Sequence, residues 1–392
     1  MKIIGHRIGG NIVSDKSSRF GDVFNPATGE VESKIALASI PDVDKAVNAA
    51  KKALPVWSET PPIQRARILF KYKQLIEENI DELADLVGRE HGKTLADAKG
   101  SVVRGLEVVE FACGIPHLLK GEFTEQVGTG VDSFSIRQPV GIAAGITPFN
   151  FPAMVPLWMY PIAIACGNTF ILKPSERDPS CPIRLTELLE EAGAPAGVLN
   201  VVNGDKEAVN AILDHPDISA VSFVGSTPVA KHVYSRGSLS GKRVQALGGA
   251  KNHMVIMPDA DLDQAVDALM GAAYGSAGER CMAISVAVAV GDVGDKLIEK
   301  IAPKVSSLKV GPWDDPEAEM GPIVTKESLD RITTLIGEGE KAGAELVVDG
   351  RNLKLQGYEN GNFIGGTLFD NVKTGMSKYC LLYTSPSPRD AT

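Results

Sequence analysis

The chain has 392 residues, of which 44% are hydrophobic, and a formal net charge of −9 at pH 7. This length allows two or three domains with ample core, and the negative charge argues against a nucleic-acid-binding surface. Five cysteines without CxxC spacing, and no His/Cys cluster with zinc-ligand spacing, argue against a disulfide scaffold or a metal site. The first residues, MKIIGHRIGG, lack a sustained apolar region, so we expect no secretory signal, and the longest apolar stretch, 153–166, is too short to span a bilayer. We therefore expect a soluble, cytoplasmic protein that binds no metal, nucleic acid or membrane.

The first third of the chain shows short strand patterns followed by helical periodicity. Strand and turn patterns occupy residues 1–40, and apolar residues recur at helical spacing over 43–57, 63–90 and 94–119. These amphipathic helices are expected to cover another layer of the fold. Residues 121–138 are polar with scattered β-formers, which predicts a projecting hairpin.

Between residues 141 and 249, short apolar strands alternate with helices. This alternation predicts a parallel sheet covered on both faces, because each crossover must pack back over the sheet. Ligands of such sheets bind at the carboxyl ends of the strands. The candidate loops are 147–151, 173–177, 225–227 and 248–252. The GxGxxG fingerprint is absent, so the sheet alone does not identify a nucleotide site.

A second α/β unit is predicted after His253. It begins with a strand, an acidic turn and a helix, and it leads directly into the loop that carries Cys281. Further strand and helix patterns follow at 283–290, 295–307, 326–342, 344–350 and 362–371.

Cys281 is the candidate nucleophile because it follows a glycine- and serine-rich approach in the stretch GSAGERCMAI. A thiol attacks as the thiolate, which a nearby positive charge favours, and Arg280 could supply that charge. The alternative interpretation is a small, buried hydrophobic side chain.

Five ordered motifs favour the catalytic interpretation: ITPFNFP at 146–152, LKPSERDP at 172–179, SFVGSTPVA at 222–230, LGGAKNH at 247–253 and AGERCM at 277–282. Together they resemble the aldehyde dehydrogenase superfamily. Within it, the CoA-acylating methylmalonate-semialdehyde dehydrogenases are similar through the stretches VVEFACGIPHLLKGE, ITPFNFPAMVPLWMYPIAIACGNTFILKPSE and QALGGAKNHMVIMPDAD. The resemblance covers roughly residues 5–377. It implies an α/β fold with a Rossmann-type NAD-binding domain (1–120 and 139–249), an oligomerisation hairpin (121–138) and a truncated α/β catalytic domain (250–378).

The resemblance assigns roles to individual residues. Cys281 would add to the aldehyde, lose hydride to NAD and remain as a thioester. The Asn150 side-chain amide, with the backbone N–H of Cys281, would hold the developing oxyanion. An alternative role for Asn150 is the N-cap of the helix that follows Pro152.

The same resemblance places the NAD contacts in three of the four loops. Lys173 and Glu176 would hold the adenosine ribose, and the carboxylate favours NAD over NADP because it repels a 2′-phosphate. Further cofactor contacts are expected at Thr147, Phe149, Arg177, Gly225 and Ser226, the last two at a helix start that faces the pyrophosphate.

Coenzyme A is the expected acyl acceptor. Hydrolytic members of the family place a water-activating glutamate just before the Gly-Gly pair, where this chain has Ala246 or Leu247. Neither side chain accepts a proton, whereas a thiol attacks a thioester without activated water. Glu279 replaces a glutamine that is common in the family. A hydrolytic aldehyde dehydrogenase remains the alternative enzyme.

The resemblance implies a semialdehyde substrate that carries a carboxylate, bound by Arg104 and Arg280. Each arginine has an alternative interpretation: Arg104 as an exposed helix residue, and Arg280 as the source of the field at Cys281. Loss of CO2 would give propanoyl-CoA from methylmalonate semialdehyde or acetyl-CoA from malonate semialdehyde. The preferred semialdehyde stays open, as does the pathway among valine, inositol and β-alanine catabolism.

The C-terminus departs from the family. The acidic EEIFGP motif is missing after GTLFDNV, and from about Tyr379 the chain becomes a Ser/Pro-rich tail that includes Cys380. We expect a truncated form of a homo-oligomeric enzyme, which could be inactive. Two further alternatives are an NAD-binding protein without turnover and, least favoured, a cysteine hydrolase that uses a histidine such as His253.

Overall fold

The computed structural model describes residues 1–14, 19–373 and 376. The predicted non-family tail and Cys380 lie outside these residues. The chain divides into two compact units. The first comprises Met1–Val23, Glu32–Leu86 and Lys99–Leu247, and the second comprises Phe24–Val31, Val87–Ala98 and the residues from Gly248 onward.

The described residues of the N-terminal part form five short strands, five helices and a hairpin. The strands are β1 (Lys2–Ile4), β2 (His6–Ile8), β3 (Asn11–Val13), β4 (Phe20–Phe24) and β5 (Val31–Ala36). The helices are α1 (Ile40–Glu59), α2 (Pro62–Glu78), α3 (Ile80–His91), α4 (Leu95–Cys113) and the single turn α5 (Ile115–Leu118). The predicted hairpin is formed by β6 (Phe123–Gly128) and β7 (Val131–Phe134).

The predicted alternation of strands and helices is confirmed over the next hundred residues. Its elements are β8 (Ile142–Ile146), α6 (Met154–Ala165), β9 (Thr169–Lys173), α7 (Ser180–Glu191), β10 (Leu199–Val201), α8 (Lys206–Asp214), β11 (Ile218–Val224), α9 (Thr227–Leu239) and β12 (Arg243–Leu247).

These strands form a seven-stranded sheet in the order β12-β11-β8-β9-β10-β2-β3. The first five strands in this order are parallel, and β2 and β3 continue the sheet antiparallel at one edge. The chain runs outward from β8 through β9 to β10 and then returns to β11 on the other side of β8. The strand order therefore reverses between β8 and β11, where open α/β sheets bind their ligands.

The core explains why the central strands are rich in apolar residues. All residues of β8 and β9 are buried, as expected for parallel strands covered on both faces. Helix α1 packs its Val43, Val47 and Ala50 against this sheet, at the spacing of one helix face. Ile146 pairs with both Lys173 and Phe223, so three strands end at one level.

The second unit has its own core. Its strands are β13 (Asn252–Ile256), β14 (Ile284–Ala289), β15 (Glu345–Val348) and β16 (Leu368–Asp370), and its helices are α10 (Leu262–Leu269), α11 (Val293–Ser306) and α12 (Lys326–Lys341). Strands β13 and β14 pair in parallel, and β15 and β16 pair antiparallel. Leu269, Leu297 and Ile301 contribute to a buried cluster between α10 and α11.

Two predicted elements differ from the structure. The continuous helix over 63–90 is wrong, because the side-chain amide of Asn79 donates to the carbonyl of Leu75 and a turn separates α2 from α3. The strand over 362–371 is reduced to Leu368–Asp370, because the chain around Gly365 bonds instead to Gly350. None of the helices in the described part of the chain is long and apolar enough to cross a membrane.

Candidate active site

In the first unit, the loop after β8 is joined to the end of β9. The backbone N–H of Thr147 donates to the carbonyl of Lys173 over 3.1 Å. The Thr147 side chain is buried, and its hydroxyl has no hydrogen-bond partner among the described residues. A buried hydroxyl without a partner is unfavourable, so it fits a position that a ligand completes.

Lys173 is a buried cation at the same edge of the sheet. Its side chain is 6% exposed, and its ammonium group donates to the Gly204 carbonyl over 2.6 Å and to Glu176 over 3.2 Å. Glu176 is 41% exposed, so its carboxylate also reaches solvent. This pair presents an ordered cation and an accessible carboxylate, which suits the recognition of hydroxyl groups.

Phe149 and Arg177 also come together. The guanidinium carbon of Arg177 lies 5.4 Å from the centre of the Phe149 ring, within cation–π range. The structure thus joins the predicted residues of the β8 and β9 loops into one surface.

Gly225 and Ser226 connect β11 to α9. The backbone N–H of Gly225 donates to the carbonyl of Leu247 at the end of β12, and a side chain at Gly225 would collide with Phe223. Ser226 is the N-cap of α9 but makes no side-chain capping bond. The helix start is therefore compatible with an anionic group, and the pyrophosphate contact at this position stays a prediction.

Asn150 does not cap a helix, so that alternative interpretation is wrong. Helix α6 begins at Met154 with Ala153 as its N-cap, because residues 149–153 form turns after Pro148. The Asn150 side chain makes no hydrogen bond within the described residues. Its amide is free for another acceptor.

Arg104 lies on α4 with its side chain exposed. It forms no hydrogen bond or ion pair with the described residues. The next residue, Gly105, allows close packing, since a side chain there would meet Leu157 and the main chain of Met154. Helix α4 therefore packs closely against α6 at Gly105, the residue that follows Arg104.

In the second unit, Cys281 is a partly exposed, free thiol just before β14. A π-helical turn, Met270–Tyr274, and a tight turn, Gly275–Gly278, precede it. Ser276 and Ala277 both have φ of 53°, in the left-handed region that is unfavourable for residues with a side chain. Such strain is frequent at active sites.

Asn252 fixes the main chain around the thiol. Its side-chain amide donates to the carbonyls of Cys281, over 3.0 Å, and Ala283, over 3.1 Å. Because both bonds come from one nitrogen at the start of β13, they hold the Cys281 loop against the β13–β14 pair.

Glu279 turns away from solvent. Its side chain is 11% exposed, one oxygen lies 3.8 Å from Nε2 of His91, and the other accepts the backbone N–H of Val324 over 3.4 Å. His91 is fully buried, and this burial holds its pKa well below the usual value. The hydrogen bond from Val324 therefore ties Glu279 to that segment, with the end of α3 beside it.

The Arg280 side chain also has hydrogen-bonding partners. It donates to the Asp97 carboxylate over 2.5 Å and to the Gly271 carbonyl over 3.2 Å. Its guanidinium is therefore not an isolated charge beside the thiol.

Two residues of this environment, His91 and Asp97, have no signal in the sequence. They lie about 190 residues before the thiol, and no local period connects them to it. Asn252 lies within the motif at 247–253 and the candidate loop 248–252, but its bonds to the Cys281 loop are visible only in the folded chain. His253, the histidine considered for a hydrolase, bonds through Nδ1 to the carbonyl of Lys251. Within the described residues, no group of three or more His, Cys, Asp or Glu side chains could hold a metal ion.

Comparisons with known proteins identify the family of the chain. The sequence model of the aldehyde dehydrogenase family matches residues 12–380. The chain is 57% identical over 380 residues to a malonate-semialdehyde dehydrogenase of Pseudomonas aeruginosa, covering 97% of this chain and 76% of that protein. It is 48% identical over 372 residues to the human mitochondrial, acylating methylmalonate-semialdehyde/malonate-semialdehyde dehydrogenase, covering 95% and 69%.

A solved structure of a similar protein agrees with this family match. A protein of Sinorhizobium meliloti assigned as a methylmalonate-semialdehyde dehydrogenase, crystallised with NAD, has a TM-score of 0.96 and 63% identity, covering 97% of this chain and 77% of that one. The chain belongs to the aldehyde dehydrogenase family.

Proposed function

We propose that the protein oxidises malonate or methylmalonate semialdehyde with NAD through a thioester on Cys281, and transfers the acyl group to coenzyme A. The observation that carries this proposal is 57% identity, over 97% of the chain, to a relative named for malonate semialdehyde. The human relative is named for both semialdehydes and as acylating.

The residues at the carboxyl edge of the sheet fit NAD. The unpartnered Thr147 hydroxyl, the Lys173–Glu176 pair and the uncapped start of α9 provide groups for a hydroxylated, anionic dinucleotide. Phe149 and Arg177 would extend this surface. When bound, NAD accepts the hydride that leaves the substrate.

Cys281 acts as the nucleophile in this proposal. Its thiolate adds to the aldehyde carbon, and after hydride loss the same sulfur holds the acyl group as a thioester. The free amide of Asn150 and the backbone N–H of Cys281 would stabilise the oxyanion. The two bonds from Asn252 support this role because they fix the main chain that carries both the thiol and that N–H.

Transfer to coenzyme A is supported by the residues at the positions where a water-activating base would be expected. Ala246 and Leu247 end β12, and the family resemblance implies that hydrolytic members would have their glutamate at this position. Glu279 is turned toward His91 and Val324. A thiol acceptor needs no activated water, so the thioester is expected to wait for coenzyme A.

The substrate carboxylate would be bound by Arg104 and Arg280. Arg104 is exposed and unpaired within the described residues, whereas Arg280 already has Asp97 as a partner. After acylation, loss of CO2 from the carboxylate gives acetyl-CoA, or propanoyl-CoA from the methylated substrate.

The proposal includes a homo-oligomer in the cytoplasm. The β6–β7 hairpin exposes Phe123, Val127, Val131 and Phe134, which gives it an apolar surface that a second copy could cover. The four cysteines within the described residues are free, which suits a reducing compartment.

The test measures NADH formation from malonate semialdehyde with and without coenzyme A. We expect sustained turnover only with coenzyme A and none in Cys281→Ala, while the control Cys166→Ala keeps its activity. Equal sustained turnover without coenzyme A would identify a hydrolytic enzyme. NAD binding without NADH formation under any condition would instead favour a binding protein without turnover.

A further inference from the structure

The guanidinium of Arg280 is held from three sides. Nη2 donates to Oδ1 of Asp97 over 2.5 Å, and Nη1 donates to the carbonyl of Gly271 over 3.2 Å. The third contact is with Gly275, where a side chain would place its Cβ 2.8 Å from Cζ and from both Nη atoms. The main chain of Gly275 therefore lies against the guanidinium, and the group cannot rotate without breaking these contacts.

This arrangement leaves part of the guanidinium available. An arginine side chain has five N–H groups in a planar fork. Asp97 and Gly271 use two of them, and the other three have no partner among the described residues. A fixed plane with unused donors can bind a carboxylate in a defined orientation.

Asp97 is itself held firmly within the second unit. It lies in the first turn of α4, and its backbone N–H donates to the hydroxyl of Thr94 over 3.4 Å. The neighbouring N–H of Leu95 donates to the carbonyl of Trp313 over 3.2 Å. The Asp97 and Arg280 side chains are only 24% and 27% exposed, so water screens this pair less than a surface ion pair.

We propose that Asp97 is a positioning residue that sets the orientation of Arg280, and through it the preference of the Cys281 site for reactants with a carboxylate. Asp97 uses one edge of the guanidinium and keeps the remaining N–H groups in a fixed direction. The identity of the natural reactant rests on the proposed function. The orientation that Asp97 gives to Arg280 should favour any reactant with a carboxylate that reaches Cys281.

Two alkylating reagents test this without turnover. Iodoacetate and iodoacetamide react with a thiolate in the same way: a sulfur–carbon bond forms, the carbon–iodine bond breaks and iodide leaves. They differ in that one carries a carboxylate and the other a neutral amide. The ratio of their rates at Cys281, followed on the Cys281 peptide by mass spectrometry, measures carboxylate recognition separately from the reactivity of the thiol.

In Asp97→Asn we expect the iodoacetate-to-iodoacetamide ratio to fall about tenfold, the scale of one lost charge-assisted hydrogen bond. The rate with iodoacetamide should stay within about twofold, because the side-chain volume is kept. Arg280→Gln should lower the ratio by a similar factor. The double variant should match Arg280→Gln alone, because Asp97 acts only through Arg280.

Asp330→Asn is the matched control, since it removes an ion pair with Lys326 on α12 of the same unit and should leave the ratio unchanged. An unchanged or higher ratio in Asp97→Asn would overturn the proposal, because Asp97 would then only neutralise Arg280. Equal loss of both rates would overturn it too, as a structural effect. The alkylation assay uses neither NAD nor coenzyme A. Its result can therefore be interpreted even if the protein does not carry out the proposed reaction.

Discussion

Asn252 gives the most direct residue-scale prediction about the thiol. Asn252→Ala removes both bonds to the Cys281 loop. We expect kcat to fall about 10- to 100-fold, because small displacements of a reacting group are costly, while the KM for NAD changes little. Steady-state kinetics provide the measurement, with the exposed Asn352→Ala as control. A rise in the KM for NAD at unchanged kcat would contradict this role.

Arg65 carries a residue-scale prediction about stability. This buried guanidinium donates to the carbonyls of Ala165 over 2.9 Å, Thr60 over 2.5 Å and Ser58 over 3.3 Å. Arg65→Ala leaves these carbonyls without their donor, so we expect the free energy of unfolding to fall by about 3 kcal/mol. Urea unfolding measures this change. The exposed Arg67→Ala on the same helix is the control, and a similar effect of both substitutions would count against the prediction.

At this scale, a sequence can suggest only contacts that are local along the chain. Lys173 and Glu176 are three residues apart and form a hydrogen bond, while their role toward the adenosine ribose stays a prediction. Asp97 and Arg280 are separated by 183 positions, so only the folded chain brings them together. The N-cap expected at Asn150 failed because the turns after Pro148 delay the helix to Met154.

At the scale of elements, the β6–β7 hairpin is predicted to be a contact between copies of the chain. Phe134→Asp on this hairpin, where Phe134 is 71% exposed, should shift the oligomer toward smaller species, because a charge would be buried in the contact. Light scattering coupled to size-exclusion chromatography reports the mass. Phe70→Asp on α2, also exposed, should leave it unchanged, and an unaltered mass in Phe134→Asp would remove the hairpin from the contact.

The end of α3 is predicted to be sensitive to acid through His91. Burial holds the pKa of His91 well below its usual 6.5, so the unfolded chain takes up a proton first as the pH falls. The stabilising effect of neutral His91 is complete above about pH 6.5 and is lost progressively below it. As the pH falls from about 7 to about 5, the free energy of unfolding of His91→Gln should therefore decrease less steeply than that of the parent. The two slopes should differ by up to about 1.4 kcal/mol per pH unit. Equal slopes in urea titrations would contradict this prediction.

Helices and strands were predictable from the sequence where the spacing of apolar residues determines them. The largely apolar β8 and β9 were found because parallel central strands are buried on both faces. The break at Asn79 was missed because apolar spacing continues across it, while one side-chain bond to Leu75 ends the helix. The left-handed backbone of Ser276 and Ala277 was also unforeseen, since neither residue type favours it.

For the whole molecule, the resemblance carried by five short motifs is confirmed by the family match over residues 12–380. The fold class is confirmed by a TM-score of 0.96 to a solved relative. Residues 24–31 and 87–98 were predicted within the first domain, but by contacts they group with the second unit. Local sequence patterns cannot show that these segments belong to the second unit, because the grouping depends on distant contacts such as the hydrogen bond between Leu95 and Trp313.

The central claim is that Cys281 holds an acyl group that waits for coenzyme A. The most direct measurement is mass spectrometry of the protein after it has been mixed with NAD and malonate semialdehyde without coenzyme A. We predict one acyl adduct on the Cys281 peptide, and its disappearance on addition of coenzyme A with formation of an equal amount of acyl-CoA. An adduct that water removes as fast as coenzyme A does, or NADH formation without any adduct on Cys281, would contradict the claim.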